Sequence, residues 1–209
     1  MDETHLNRWF SSLQKELYGT YLQYDEPWKQ SGFSGPEERW VKCRKPIADC
    51  IDKSGSFLDI GCANGYLLEC VLKWTAARNL NVIPFGLDLS EKLTNLAKQR
   101  LPEYKQNIYT GNGWSWLNPV RFDFVRTEIV YVPAELQRQY IERIIDTYLA
   151  DEGELLLTEY RSRKDPVNLP WLDLTLEQWG LKVTRQLSGF YDEKEMTRVM
   201  VISKRANLR

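Results

Sequence analysis

From Ser56 to the end, apolar runs of strand length alternate with amphipathic runs of helix length, and this alternation restricts the fold more than any other feature. SFLDI (56–60) reads as a first strand, and 65–78 as a helix with Leu67, Leu68, Val71, Leu72 and Trp74 inward. NVIPFGLD (81–88) is a second strand; Pro84 within it predicts a bend or a position near an edge. Ser90 caps a helix that ends at Pro102. QNIYTG (106–111) and FDFVRTEI (122–129) are the third and fourth strands. Pro133 opens a helix with Leu136, Tyr140, Ile141, Ile144, Ile145 and Tyr148 on one side. GELLLTEY (153–160) is the fifth strand, and a helix over 170–179 stops at Gly180. Alternation of this kind predicts βαβ units, hence a doubly wound, mainly parallel sheet covered on both faces. The last two strands, in LKVTRQLSGF and MTRVMVISK, are too close for a crossover helix and must pair antiparallel.

Residues 1–55 differ and are expected to form a separate helical cap or lid on a domain of residues 56–209. Leu6, Trp9, Phe10, Leu13 and Leu17 recur at helical spacing. Pro36 suits a first helical position, with Glu37 and Glu38 at the positive end and Trp40, Ile47 and Ile51 on one face. Pro46 should kink or split that helix.

Net charge is −1, which favours no polyanion, so no DNA partner is expected. Four cysteines, at 43, 50, 62 and 70, form no CxxC pair, and the only histidine, His5, is distant in sequence. They read as reduced, mostly buried thiols of a cytoplasmic protein, with no metal site. No apolar run reaches a membrane span, and the acidic start is no secretory signal.

The turn FLDIGCANGY (57–66) carries the chemistry. Gly61, Ala63 and Gly65 let backbone amides approach a ligand, and the following helix turns its positive end to the same place. A dinucleotide needs small residues at i, i+2 and i+5, but i+5 is Tyr66. Asp59 at the strand end would repel a pyrophosphate and suits a ligand bearing an ammonium or sulfonium cation. LDIGCANGYLLECVL resembles the first motif of the class I S-adenosylmethionine-dependent methyltransferases, an acid followed by Gly-x-Gly-x-Gly, with Ala63 in place of the middle glycine.

The resemblance spans about residues 56–203 and implies a Rossmann-like sheet whose seventh strand is reversed. It implies that Asp88, ending GLD before the capped helix, accepts both ribose hydroxyls, and that Leu89 lies against the adenine. Asn112 and Gly113 stand where the family places an adenine-binding acid and a small residue; an amide oxygen still accepts. Trp114 or Trp116 covers the base or packs in the core. Asp123 fits the start of the fourth strand, whose end, Arg126 to Tyr131 with Thr127 beside the donor, should face the methyl group. Segments such as 1–55 often form a lid in this family.

The expected reaction is an in-line methyl displacement, in which alignment and water exclusion carry the catalysis. Glu128 is either a proton acceptor or substrate anchor, or a structural carboxylate; Tyr131 stands beside it. Trp40 and Arg44, one helical turn apart, either close over the donor and pair with its carboxylate or are core and solvated charge. Arg161 and Arg163 meet an acidic substrate or stay solvated. The tetrapeptide of base amino methyltransferases is missing at RTEIVYVP, and no cysteine follows a proline as in cytosine-C5 enzymes. The sequence thus predicts a methyltransferase for a small molecule, using S-adenosylmethionine and releasing S-adenosylhomocysteine; a protein or RNA acceptor stays open. The alternatives are a non-catalytic donor-binding protein and a nicotinamide-dependent oxidoreductase.

Overall fold

The computed structural model describes residues 3–118, 120–166 and 168–207; the side chains of residues 3, 4 and 16–18, Leu17 of the predicted apolar face among them, lie outside that description. In chain order the elements are α1 (Glu3–Tyr21), α2 (Glu37–Asp49), β1 (Gly55–Ile60), α3 (Tyr66–Ala76), β2 (Val82–Asp88), α4 (Glu91–Arg100), β3 (Ile108–Thr110), β4 (Phe122–Thr127), α5 (Gln137–Tyr148), β5 (Leu149–Tyr160), α6 (Leu172–Gln178), β6 (Arg185–Tyr191) and β7 (Lys194–Ser203). The strands form one seven-stranded sheet in the order β3-β2-β1-β4-β5-β7-β6. Only β7 runs against its neighbours β5 and β6. The strand order reverses between β1 and β4, where a doubly wound sheet opens a crevice at its carboxyl edge.

Each face of the sheet buries its own core. Leu58, Ile60, Val125, Leu155 and Leu157 meet α5 and α6, with Phe10 of α1 added at the edge. Phe57, Phe124 and Leu156 meet α2 and α3 on the other face. This alternation along β1, β4 and β5 is the strand period, and it leaves Asp59 and Arg126 on the second face.

Several local expectations are revised. Pro46 does not split α2, which runs unbroken from Glu37 to Asp49 with Pro36 one position before it. Pro46 lies in the last turn, and the Lys42 carbonyl that it leaves without a helical donor faces β6. There a Cβ on Gly189 would stand 2.8 Å from that oxygen, so only a glycine lets the strand lie this close. Trp40, Ile47 and Ile51 are fully buried, so α2 is part of the sheet's core. On α1, Leu6 packs against the core beside Phe10, but Trp9 is 41% exposed: it lies off the buried stripe. Pro84 is tolerated because β3 pairs with β2 only over Gly86–Asp88, leaving β2 an open edge at Pro84. Leu72 and Trp74 face inward as expected, but are only half-buried where they pack against the second core.

Two boundary shifts affect the site. β4 stops at Thr127, two residues before the predicted end, and a 3-10 turn at Ile129–Tyr131 folds Tyr131 back towards β1. Pro133 opens a second 3-10 turn (Ala134–Leu136), and α5 begins only at Gln137.

Candidate functional site

A cavity of about 650 Å³ opens above the carboxyl ends of β1, β2, β4 and β5. Phe10, Leu13 and Tyr21 of α1 and the segment 31–34 cover it. Several hydrogen bonds hold this cover down, among them one from Asn64 Nδ2 to Gln30 Oε1 at 2.8 Å. Gln14 Nε2 donates to the Leu89 carbonyl at 3.1 Å, and Asn64 Nδ2 donates to the Pro27 carbonyl at 3.0 Å.

The turn after β1 forms the floor. Gly61, Ala63 and Gly65 all have positive φ, at 83°, 46° and 74°. Alanine is uncommon there; the Ala63 N–H is fixed by a 2.8 Å bond to Asp88 Oδ2. The three small residues serve different ends. A Cβ on Gly61 would lie 2.3 Å from the Tyr131 hydroxyl, so the space above Gly61 is taken by Tyr131. A Cβ on Gly65 would lie 2.9 Å from the Ala97 Cβ: this glycine sets the approach of α3 to α4 and is outside the cavity wall, contrary to the expected ligand contact.

Asp59 stands opposite Arg126 in the parallel register of β1 and β4, so both side chains leave the same face. Asp59 is 1% and Arg126 3% exposed. Arg126 Nη1 donates to Asp59 Oδ1 at 3.1 Å and to the Tyr131 hydroxyl at 3.3 Å. Its Nη2 donates to Glu128 and, at 3.1 Å, to the Tyr160 hydroxyl. Tyr131 in turn donates to Glu128 Oε1 at 2.9 Å. Asp59 Oδ2 is buried with no hydrogen-bond partner. Arg126 lies in the strand end expected to face the methyl group, but nothing in RTEIVYVP marks it as the partner of an acid 67 positions earlier.

Asp88 is placed by β2 and faces the cavity beside the turn. Its Oδ2 takes the Ala63 N–H and its Oδ1 the Ser90 N–H, at 2.8 Å each. A carboxylate accepts about four hydrogen bonds, so each oxygen keeps a lone pair. Burial pushes Asp88 up to about 6, against those two N–H bonds. Burial likewise pushes Asp59 up to about 6, against the charge and hydrogen bond of Arg126. Both values lie above the ordinary 3.8. Each group therefore favours the fold most below pH about 4, and that contribution is lost as pH rises through about 6.

Leu89, Asn112, Gly113 and Trp114 line the adjoining wall. The Asn112 amide oxygen accepts the Trp114 N–H at 2.9 Å, so the turn takes one of its two lone pairs and leaves the other for a base. Gly113 is required by packing: a Cβ would lie 2.7 Å from the Ile60 side chain. Trp116 is the core member of the pair, 5.2 Å from Tyr109 and 5.5 Å from Tyr148 between ring centroids. Thr127 is outside the wall and fully buried, with Oγ1 2.8 Å from the Tyr140 hydroxyl.

Trp40 and Arg44 both reach the wall, although Trp40 is fully buried, 4.6 Å from Tyr66, with Nε1 donating to Ser31 Oγ at 3.0 Å. The Arg44 guanidinium lies over Tyr160, 3.6 Å from the ring centre. Arg161 is not solvated: it pairs with Glu159 at 2.9 Å and stacks on Trp171 at 4.3 Å. Among the described residues, no three His, Cys, Asp or Glu side chains gather as a metal site, and no helix is long and apolar enough to cross a membrane.

No family model and no curated protein matches the sequence. Solved structures do match in fold. Magnesium protoporphyrin IX methyltransferase (ChlM) from Synechocystis, with bound S-adenosylmethionine, superposes with a TM-score of 0.62 at 18% identity, over 93% of this chain and 96% of that one. The glycopeptide N-methyltransferase MtfA gives 0.59 at 15%, over 76% and 92%. A chain in the complex between the Haloferax volcanii Trm112 methyltransferase activator and the putative methyltransferase gives 0.60 at 14%, over 98% of each. The seven-stranded sheet with one reversed strand, the crevice at its switch point and these superpositions together establish that the chain has the Rossmann-like fold of the class I S-adenosylmethionine-dependent methyltransferases.

Proposed function

We propose that the chain is an S-adenosylmethionine-dependent methyltransferase acting on a small molecule. The observation that carries this reading is the meeting of Asp59 and Asp88 in one cavity, on either side of a turn with three left-handed residues. The residues present fit the donor. Asp88 keeps one lone pair on each oxygen for a vicinal diol, and the unpartnered Oδ2 of Asp59 suits the ammonium. Leu89 and Trp114 offer apolar surface to the base, and Arg44 a charge for the donor's carboxylate. The donor supplies a methyl group on a sulfonium centre.

In the floor of the cavity the carboxylates of Asp59, Asp88 and Glu128 outnumber the guanidinium of Arg126, which suits a sulfonium and disfavours a pyrophosphate. This speaks against a nicotinamide-dependent oxidoreductase. The covered cavity favours a small acceptor, since pockets of a few hundred Å³ suit molecules of that size. Four buried free thiols are in keeping with a reducing, cytoplasmic setting.

Glu128 is the proton acceptor in this reading. Arg126 and Tyr131 both donate to it, which holds its carboxylate at the cavity wall. Incubation with S-adenosylmethionine and a metabolite panel, read as S-adenosylhomocysteine by mass spectrometry, tests the activity. Turnover is expected with at least one acceptor, reduced about a hundredfold or more in Glu128→Gln, with donor affinity kept. Donor binding without turnover on any acceptor would instead favour a silent binding protein.

The raised Asp59 and Asp88 values set a pH dependence. Asp59 must be ionised to pair with the ammonium, and Asp88 to accept from both hydroxyls, so donor binding releases protons below pH about 6. Calorimetry with S-adenosylhomocysteine should show tighter binding at pH 7.5 than at pH 5, by up to about tenfold per pH unit for each proton released. Equal affinity at both values would mean that neither carboxylate meets the ligand.

A further inference from the structure

The cavity is polarised. Its floor carries Asp59, Asp88 and Glu128, whereas its outer wall on the α2 side carries Arg39 and Arg44. Both guanidiniums lie over the ring of Phe33, at 4.7 Å and 5.4 Å from its centre. Two positive charges gathered around one ring repel each other, and an anion between or beside them relieves that repulsion. Neither arginine has a carboxylate partner among the described residues. The neighbouring acids are engaged elsewhere: Glu37 accepts the Tyr66 hydroxyl, Glu38 pairs with Lys42, and Asp192 pairs with Arg163.

The seat of Arg39 is built for a fixed position. Its Nε is buried and has no hydrogen-bond partner. Gly35 leaves the space that the guanidinium occupies, since a Cβ there would lie 2.3 Å from Nη2. Phe33 lies on one side and Tyr191 at 5.9 Å. A guanidinium held by aromatic faces, with donors unspent, matches the planar oxygens of a carboxylate or phosphate.

S-adenosylmethionine brings one carboxylate, which Arg44 takes in the reading above. Arg39 then has no counter-charge until a second ligand arrives. We propose that the methyl acceptor is a small oxyanion, bearing a carboxylate or a phosphate, and that Arg39 anchors it. This inference rests on the methyltransferase reading and adds the substrate class to it. The polarity also orients the two ligands: the cationic sulfonium stays at the acidic floor and the anionic acceptor enters from the basic wall.

The test is calorimetry at pH 7.5 on the full chain saturated with S-adenosylhomocysteine. Benzoate and phenyl phosphate are the anionic probes and benzamide the neutral one. At least one anion should bind ten times or more tighter than benzamide. Arg39→Ala should remove that tenfold preference and leave S-adenosylhomocysteine affinity within twofold, and Arg39→Lys should restore part of the preference. Thermal melting of each variant confirms that it is folded. Two results overturn the proposal: no preference for either anion, or a tenfold loss of S-adenosylhomocysteine affinity in Arg39→Ala, which would give Arg39 to the donor's carboxylate. Failure of S-adenosylhomocysteine to bind the unaltered protein would sink the methyltransferase reading, and this inference with it.

Discussion

Replacing Arg126 by leucine should destabilise the folded chain by roughly 3–5 kcal/mol at pH 7, the range for removing one member of a buried ion pair. The cause is the charge left behind. Asp59 is almost wholly inaccessible, one of its oxygens has no partner, and the other depends on Arg126 Nη1. Glu128 and the hydroxyls of Tyr131 and Tyr160 also lose a donor. The loss should shrink on acidification, because without Arg126 burial and the nearby charges of Glu128 and Asp88 all drive Asp59 to protonate. Urea denaturation at pH 7 and pH 5 reads both effects. The double variant Asp59→Leu with Arg126→Leu should recover much of the stability lost at pH 7, since it removes both buried charges. An unchanged midpoint for Arg126→Leu at pH 7 would show that the network contributes nothing.

Replacing Asp88 by alanine should weaken donor binding by about 1.5–3 kcal/mol, the range for hydrogen bonds to a charged group. The structure adds a second consequence. Asp88 also accepts the Ala63 and Ser90 N–H groups, so alanine leaves two buried donors unpaired and loosens the left-handed turn. Each orphaned donor costs about 1–3 kcal/mol of stability. Asp88→Asn separates the two effects. It keeps one oxygen for the turn and loses the charge and the paired acceptor for the diol, so affinity should fall more than the melting temperature does. Normal affinity in Asp88→Asn would remove the ribose assignment.

The fold was readable because its signals are local. The run SFLDI, the capped helix after Ser90 and the apolar side of α5 each announce themselves within a dozen residues. The turn was readable too, as glycines and an alanine at fixed spacing after a strand. What stayed hidden depends on neighbours distant in sequence. Asp59 was legible as an acid at a strand end, but its pairing with Arg126 follows from the register of β1 against β4. At Gly65 spacing alone cannot tell an approaching ligand from an approaching helix, and here Ala97 of α4 is what comes close. Pro46 alone signals a break, and the strand glycine that lies against its helix, Gly189, is more than a hundred residues away. Arg39 carries no signature in EERWVKCR; its significance comes from Phe33 and Gly35 folding around it.

Donor binding at the switch point of the sheet makes the most direct demand on the structure. A crystal structure with S-adenosylhomocysteine should show both ribose hydroxyls within about 3 Å of the Asp88 carboxylate, hydrogen-bond distance. The amino group should lie near Asp59 Oδ2, and Tyr131 should have moved off Gly61. Ligand bound elsewhere, or a site above β1 still filled by Tyr131 at saturating ligand, would contradict the account.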